Sequence, residues 1–186
     1  MAVWAAGKVA LVTGGARGIG AAIAEGLRAI DAKVAIVDCD AAALAACPLD
    51  VLKLEADVAR PADCAAAVAA TREAYGQVDI LVNNAGIGMG LIREDHFTRP
   101  IRLDEIEPEH WRQIFEVNCM GAFLMARAAL PGMLAQGWGR MINVTTSFFT
   151  MLNEASRRTA RPRPRSNRPR RSGPRSSATA ASASTS

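Results

Sequence analysis

The sequence predicts an α/β fold, a doubly wound parallel sheet with helices on both faces. Three observations predict it. Short, continuous apolar runs recur along the chain, each followed by a turn signal. Stretches of helical character alternate with those runs, which is the pattern of parallel strands joined by helical crossovers. The first run meets the first helical stretch through a Gly-rich turn.

Lys8 to Thr13 is apolar, β-branched at three positions and stopped by glycine, so it reads as a buried strand. Gly14 to Gly20 forms the turn, and the helix runs from about Gly18 through Ala29. Lys33 to Asp38 is a second buried strand. Ala41 to Ala46 is helical, and Pro48 forbids its continuation. Val51 to Leu54 is a short third strand. Pro61 to Tyr75 begins with proline in a first helical turn, where no N–H is missed. Val78 to Asn83 is a fourth strand. Residues 87–107 form a long polar connection. Pro108 to about Leu134 reads as one long helix, with Trp111, Ile114, Phe115, Phe123 and Leu124, and the polar Asn118 among them, near a 3–4 spacing. Arg140 to Thr145 is the fifth strand.

Composition narrows the function classes. A chain of 186 residues with half its residues hydrophobic suits one globular domain. No apolar run is expected to span a membrane. The N-terminus lacks the charged region and cleavage site of a signal peptide, so a cytoplasmic location is expected. Cys39, Cys47, Cys64 and Cys119 form no CxxC pair, and His96 and His110 stand apart from them. No metal site is expected; the cysteines read as reduced core residues. All 18 acids lie before residue 155, whereas residues 155–186 hold nine arginines and no acid. The boundary therefore falls at 154/155: a folded domain at 1–154, and an Arg/Pro/Ser-rich tail at 155–186 that cannot bury a core. The tail could meet phosphates through arginine, but it has no aromatic residue for base stacking and no recognised motif, so nucleic acid is not expected as a partner.

The turn after the first strand carries the chemistry. Glycines let backbone approach phosphates, and the following helix N-terminus offers free N–H groups and the positive end of its dipole. The spacing is Thr13-Gly14-x-x-x-Gly18-Ile19-Gly20, one residue longer between the first two glycines than the common dinucleotide pattern. Asp38 ends the second strand 18 residues after Gly20, where a carboxylate would accept from an adenosine ribose and repel a 2′-phosphate. A carboxylate there also suits a helix N-cap. Asp38 favours NAD over NADP; Arg17 in the turn pulls the other way.

These residues, together with Asp57-Val58, Asn83-Asn-Ala-Gly86, Asn118 and Gly139-Arg-Met-Ile-Asn-Val-Thr-Thr-Ser147, resemble the short-chain dehydrogenase/reductase family in order and spacing, over about residues 5–150. The resemblance implies a Rossmann-type sheet, here incomplete at its C-terminal side. It implies NAD(P)-dependent hydride transfer between an alcohol and a ketone. It also implies roles: Gly14, Ala16, Arg17, Gly18, Ile19 and Gly20 around the pyrophosphate, Asp57 and Val58 at the adenine, and Asn84, Ala85 and Gly86 at the nicotinamide-side ribose. Asn118 would hold a water in a proton relay; alone, it would read as a satisfied buried amide. Thr146 or Ser147 would polarise the substrate carbonyl, with Thr145 a third contender, and a strand-end Ser/Thr turn is the plain alternative. The family is homo-oligomeric.

The family's chemistry also needs a Tyr-x-x-x-Lys pair on the next helix, the lysine lowering the tyrosine pKa from about 10 towards working pH. The only tyrosine here is Tyr75, and no lysine follows Lys53. The tail suggests why. With suitable synonymous codons, and with AGA or AGG at Arg163, an adjacent frame over Thr159–Asn167 reads Tyr-Gly-Pro-Ser-Lys-Ala-Ala-Ile-Glu. A frameshift near residue 155 would explain together the loss of acids, of large apolar residues and of the motif. The chain as written is then expected to bind NAD with little turnover, and its assembly is doubtful without the helix that the family packs at a subunit interface. Without the elements that the family adds after the fifth strand, an apolar face of the long helix from Pro108 is expected to lose cover. The alternative is an inactive NAD-binding fragment. The sequence names no substrate.

Overall fold

The computed structural model describes residues 4–145. Thr146, Ser147 and the 155–186 tail lie outside them. The described residues form a parallel sheet flanked by helices, as the alternation of runs predicts. The strands are β1 (Val9–Thr13), β2 (Lys33–Asp38), β3 (Leu52–Glu55), β4 (Ile80–Asn83) and β5 (Arg140–Asn143). They lie in the order β3-β2-β1-β4-β5, every pair parallel. The chain therefore winds outward in one direction from β1 to β3, then crosses back to β4 and β5. The C-terminal ends of β1 and β4 meet at that reversal, where crossovers leave on opposite faces and open a crevice.

Burial follows position in the sheet. All five residues of β1 and all four of β4 are buried, which is why those runs are continuous rather than alternating. One face packs Leu11, Val37 and Leu81 with α3 (Pro61–Tyr75) and α5 (Ala122–Ala135); the other packs Val12, Ile36 and Val82 with α1 (Gly18–Arg28) and α2 (Ala41–Ala46). At the N-terminal end of the sheet, buried Asp79 accepts from the Val9 N–H at 2.8 Å and pairs with Lys8 at 3.6 Å. That end is locked by structure, and the opposite end carries the loops.

Several expectations change. The helix from Pro108 runs to Ala135, but a widened π turn, Glu116–Gly121, separates α4 (Pro108–Phe115) from α5. Its apolar positions are only partly buried. Leu124, Met125, Ala129 and Met133 reach the core, while Trp111, Phe115 and Phe123 are about half exposed. This is also the one helix among the described residues long and apolar enough to cross a membrane, contrary to the expectation that none was. Length and composition alone say so; α5 packs on α3 and β4. The 87–107 connection is polar as expected, yet it contains two short 3₁₀ turns, Met89–Leu91 and Leu103–Glu105. Cys47 and Cys64 are core residues, but Cys39 and Cys119 are exposed. Asp38 does not cap α2: the cap is Asp40, whose Oδ1 accepts from the Ala43 N–H at 2.9 Å.

Candidate functional site

The Gly-rich turn is shaped by contacts that glycine alone permits. Gly14 has φ +61°, and a Cβ there would lie 2.9 Å from Ala85 Cα. Gly20 is more constrained: a Cβ would fall 2.0 Å from the Gly14 carbonyl oxygen and 2.6 Å from Asn84 Nδ2. The turn from β1, the first turn of α1 and the loop after β4 thus close on one another with no room for a methyl group.

Thr13 and Asn84 tie these segments together. The Thr13 hydroxyl oxygen accepts from the Asn84 and Ala85 N–H groups, both at 3.0 Å, and its proton goes to the Val82 carbonyl. Asn84 Nδ2 returns hydrogen bonds to the Thr13 and Gly14 carbonyls at 2.9 and 3.1 Å. Asn83, on the same strand end, donates to Asn143 Oδ1 at 2.9 Å and so links β4 to β5.

Helix α1 begins at Gly18 with no side-chain cap and no acid in its first turn. Its leading N–H groups and positive dipole end are left for an anion. Asp38 sits opposite. Its Oδ2 accepts from the Ala16 N–H at 3.2 Å and its Oδ1 from the Asp40 N–H at 3.1 Å. A carboxylate has about four acceptor positions, so two remain. Together these features fit an anionic dinucleotide: a donor-lined turn for the pyrophosphate beside a carboxylate suited to ribose hydroxyls.

Ten of the expected residues line one cleft of about 400 Å³: Gly14, Arg17, Ile19, Gly20, Asp38, Asp57, Val58, Asn84, Ala85 and Gly86. Ala16 and Gly18 do not line it. The Ala16 side chain is buried in the core, and its N–H is taken by Asp38. Gly18, at φ +57°, starts the helix. Asn118 lies on the π turn and lines an adjoining cavity of about 600 Å³ that shares Asn84, Ala85 and Gly86 with the first. It is exposed rather than a buried amide. Its Oδ1 accepts from the Ile87 N–H and its Nδ2 donates to the Ile87 carbonyl, both at 2.8 Å. The side chain is thereby committed to holding the 84–87 loop.

Sequence reasoning missed Val37, Cys39, Ala56, Ile87, Gln113 and Val117 in the cleft wall. Cys39 and Ile87 follow predicted site residues directly, which was the available signal. Gln113 and Val117 arrive from α4 and the π turn through a long-range contact that no local pattern announces.

The thiols give a test of this geometry. Cys64 is buried and donates to the Val58 carbonyl at 3.2 Å; burial pushes its pKa up from 9.0 to about 11. Cys39 is raised as well, first by desolvation and then by Asp38. At pH 8 a thiol reagent should label Cys119 and, more slowly, Cys39, leaving Cys47 and Cys64 until the chain unfolds. Mass mapping of the labelled peptides checks it; early labelling of Cys64 would contradict the packing. Above pH 9.0 the unfolded chain ionises Cys64 first, so this contribution is complete below pH 9.0 and lost by about pH 11.

A parallel sheet with a glycine-rich turn and an asparagine-bearing loop at its reversal point defines the Rossmann-type class of nucleotide-binding domains. Residues 8–154 match the short chain dehydrogenase family. The chain belongs to that family. It is 39% identical over 147 residues to the 2-(R)-hydroxypropyl-CoM dehydrogenase of Xanthobacter autotrophicus, covering 75% of this chain and 56% of that protein. It is 40% identical over 152 residues to a 3-oxoacyl-acyl-carrier-protein reductase of Vibrio cholerae, covering 79% and 58%. Among solved structures it matches a 3-ketoacyl-acyl-carrier-protein reductase of Brucella melitensis complexed with NADH. There the TM-score is 0.67 and the identity 38%, over 76% of this chain and 58% of that one. The chain thus spans a little over half the length of these relatives.

Proposed function

We propose that the protein is an NAD(P)-dependent oxidoreductase, with NAD the preferred cofactor and an alcohol or ketone as substrate. One observation carries the reading: the Gly-rich turn and the Asn84–Gly86 loop converge at the C-terminal ends of β1 and β4, beside Asp38. The Brucella reductase of like fold is complexed with NADH, which supports the cofactor. When bound, the nicotinamide would supply hydride chemistry. The first turn of α1 would hold the pyrophosphate, and Asp38 the adenosine ribose. Asp57 and Val58 would flank the adenine. Asn84, Ala85 and Gly86 would face the second ribose. Asn118 would fix that loop through Ile87, so any water it holds would be held by its main-chain groups. Thr146 or Ser147 would polarise the substrate carbonyl.

A second reading is NAD binding without turnover, and the sequence favours it for the chain as written. Tyr75 is the only tyrosine, and its hydroxyl reaches towards the Val34 carbonyl at 3.4 Å, between α3 and β2 rather than at the cleft. No Tyr-x-x-x-Lys pair is present. The proton step therefore has no donor of the family type. We read residues 155–186 as a frameshifted segment rather than a basic binding tail.

Two measurements separate the readings. Resequencing codons 145–186 in all three frames should reveal Tyr-x-x-x-Lys in an adjacent frame. NADH titration followed by an alcohol-oxidation assay should then show binding in both chains and turnover only in the frame-restored one. NADH should also protect Cys39 from labelling. Turnover by the chain as written would reject the second reading, and absence of NADH binding by both would reject the cofactor assignment.

A further inference from the structure

Arg17 and Asp38 pull cofactor choice in opposite directions, and a third residue decides between them. We propose that Asp40 is a positioning residue for cofactor selectivity: by holding the Arg17 guanidinium at the β2–α2 turn it withholds that cation from a 2′-phosphate and favours NAD over NADP. The inference rests on the dinucleotide reading above.

Arg17 is the only cationic side chain among the described residues lining the cleft. Its Nη1 donates to Asp40 Oδ2 at 2.5 Å, across 23 residues of sequence. Asp40 is not a mobile partner. Its Oδ1 caps α2 through the Ala43 N–H, and its own N–H is held by Asp38 Oδ1. The carboxylate that receives Arg17 is therefore placed by backbone, and its position is set by where α2 starts. The ion pair also leaves its mark on both partners: the hydrogen bond from Arg17 holds the Asp40 carboxyl below its usual range and raises Arg17.

Charge counting gives the direction. Arg17, Asp38 and Asp40 together carry one net negative charge. A 2′-phosphate, bearing roughly two negative charges in the manner of other phosphomonoesters, meets two carboxylates and an arginine already engaged. Removing the charge of Asp40 frees Arg17 and leaves the cluster neutral. The pair is exposed, with Arg17 68% accessible, so the result is a bias and not an absolute switch.

The test measures equilibrium binding of NADH and NADPH to the full chain by fluorescence titration, in wild type, D40N, R17A and R17A/D40N. Asparagine caps helices as well as aspartate does, so D40N removes the charge and keeps the cap. The ratio of NADPH to NADH affinity should rise about two- to fivefold in D40N, the size expected from losing one exposed ion pair. It should return to the wild-type value in R17A/D40N, and R17A alone should shift it less than R17A does in the D40N background. An unmoved ratio, an equal change in both affinities, or a gain that survives in the double variant would overturn the proposal. Should D40N fail to fold by circular dichroism, D40S retains a capping oxygen and tests the same charge. Failure of wild type to bind NADH overturns the cofactor reading and this inference with it; NADH binding with an unmoved ratio overturns the inference alone.

Discussion

Gly20→Ala is expected to destabilise the fold by about 2–3 kcal/mol, the upper range for overpacking a tight contact, and to weaken NADH binding by at least about a hundredfold, or ~2.7 kcal/mol. The reason is local and steric. The new Cβ would stand 2.0 Å from the Gly14 carbonyl oxygen and 2.8 Å from its carbon, both backbone atoms, so no rotamer change relieves it. Either α1 or the 14–17 turn must move, and the donors that would face the pyrophosphate move with them. Gly26, on the same helix, is the control. A Cβ there meets nothing within 4 Å. Gly26→Ala should therefore stabilise the helix by about 0.5–1 kcal/mol, through the entropy that glycine loses on folding, and leave NADH binding unchanged. Chemical denaturation and NADH titration of both variants read the contrast. Equal effects at the two positions would show that the turn is not closed as described.

Thr13→Val should destabilise by about 2–4 kcal/mol, the cost of leaving buried polar groups unpaired. Valine nearly matches the volume of threonine but lacks the oxygen. The Asn84 and Ala85 N–H groups would lose their acceptor, and the Val82 carbonyl would lose a donor. Thr13 is 1% exposed, so water cannot readily substitute. The 84–86 loop would loosen, and NADH affinity would fall with it. Thr13→Ser keeps the oxygen and should lose only about 1 kcal/mol, for one buried methyl group. A valine variant as stable as the serine variant would refute the hub role of this hydroxyl.

Legibility along the chain tracked whether a signal was local. The strands from β1 to β5 and helices α2 and α3 emerged within a residue or two of where the runs place them; burial on both faces demands the uninterrupted apolar residues of β1 and β4, whereas β5 is exposed along its length and β3 alternates. The glycine turn was legible for the same reason: a short-range steric requirement leaves a short-range trace. The long helix was legible in extent but not in which residues face the core. Its apolar spacing included Trp111, Phe115 and Phe123, all exposed, since periodicity identifies a face and not what covers it. The cysteines divided similarly, two in the core and two at the surface. Thr13 was visible only as the first letter of a motif; that its hydroxyl joins β1 to the loop after β4 depends on a contact 71 residues away.

The sequence by itself determined the alternation of strand and helix, the tight turn after β1, the family and the lack of a Tyr-x-x-x-Lys pair, all of them encoded in residue type and spacing. Tertiary structure alone decided the strand order, the capture of Arg17 by Asp40, the engagement of the Ala16 N–H by Asp38 and the docking of Asn118 on Ile87. Each of these joins groups far apart in the chain. Their pairing depends on which strands become neighbours, and that is set by the packing of the whole sheet rather than by any window of residues.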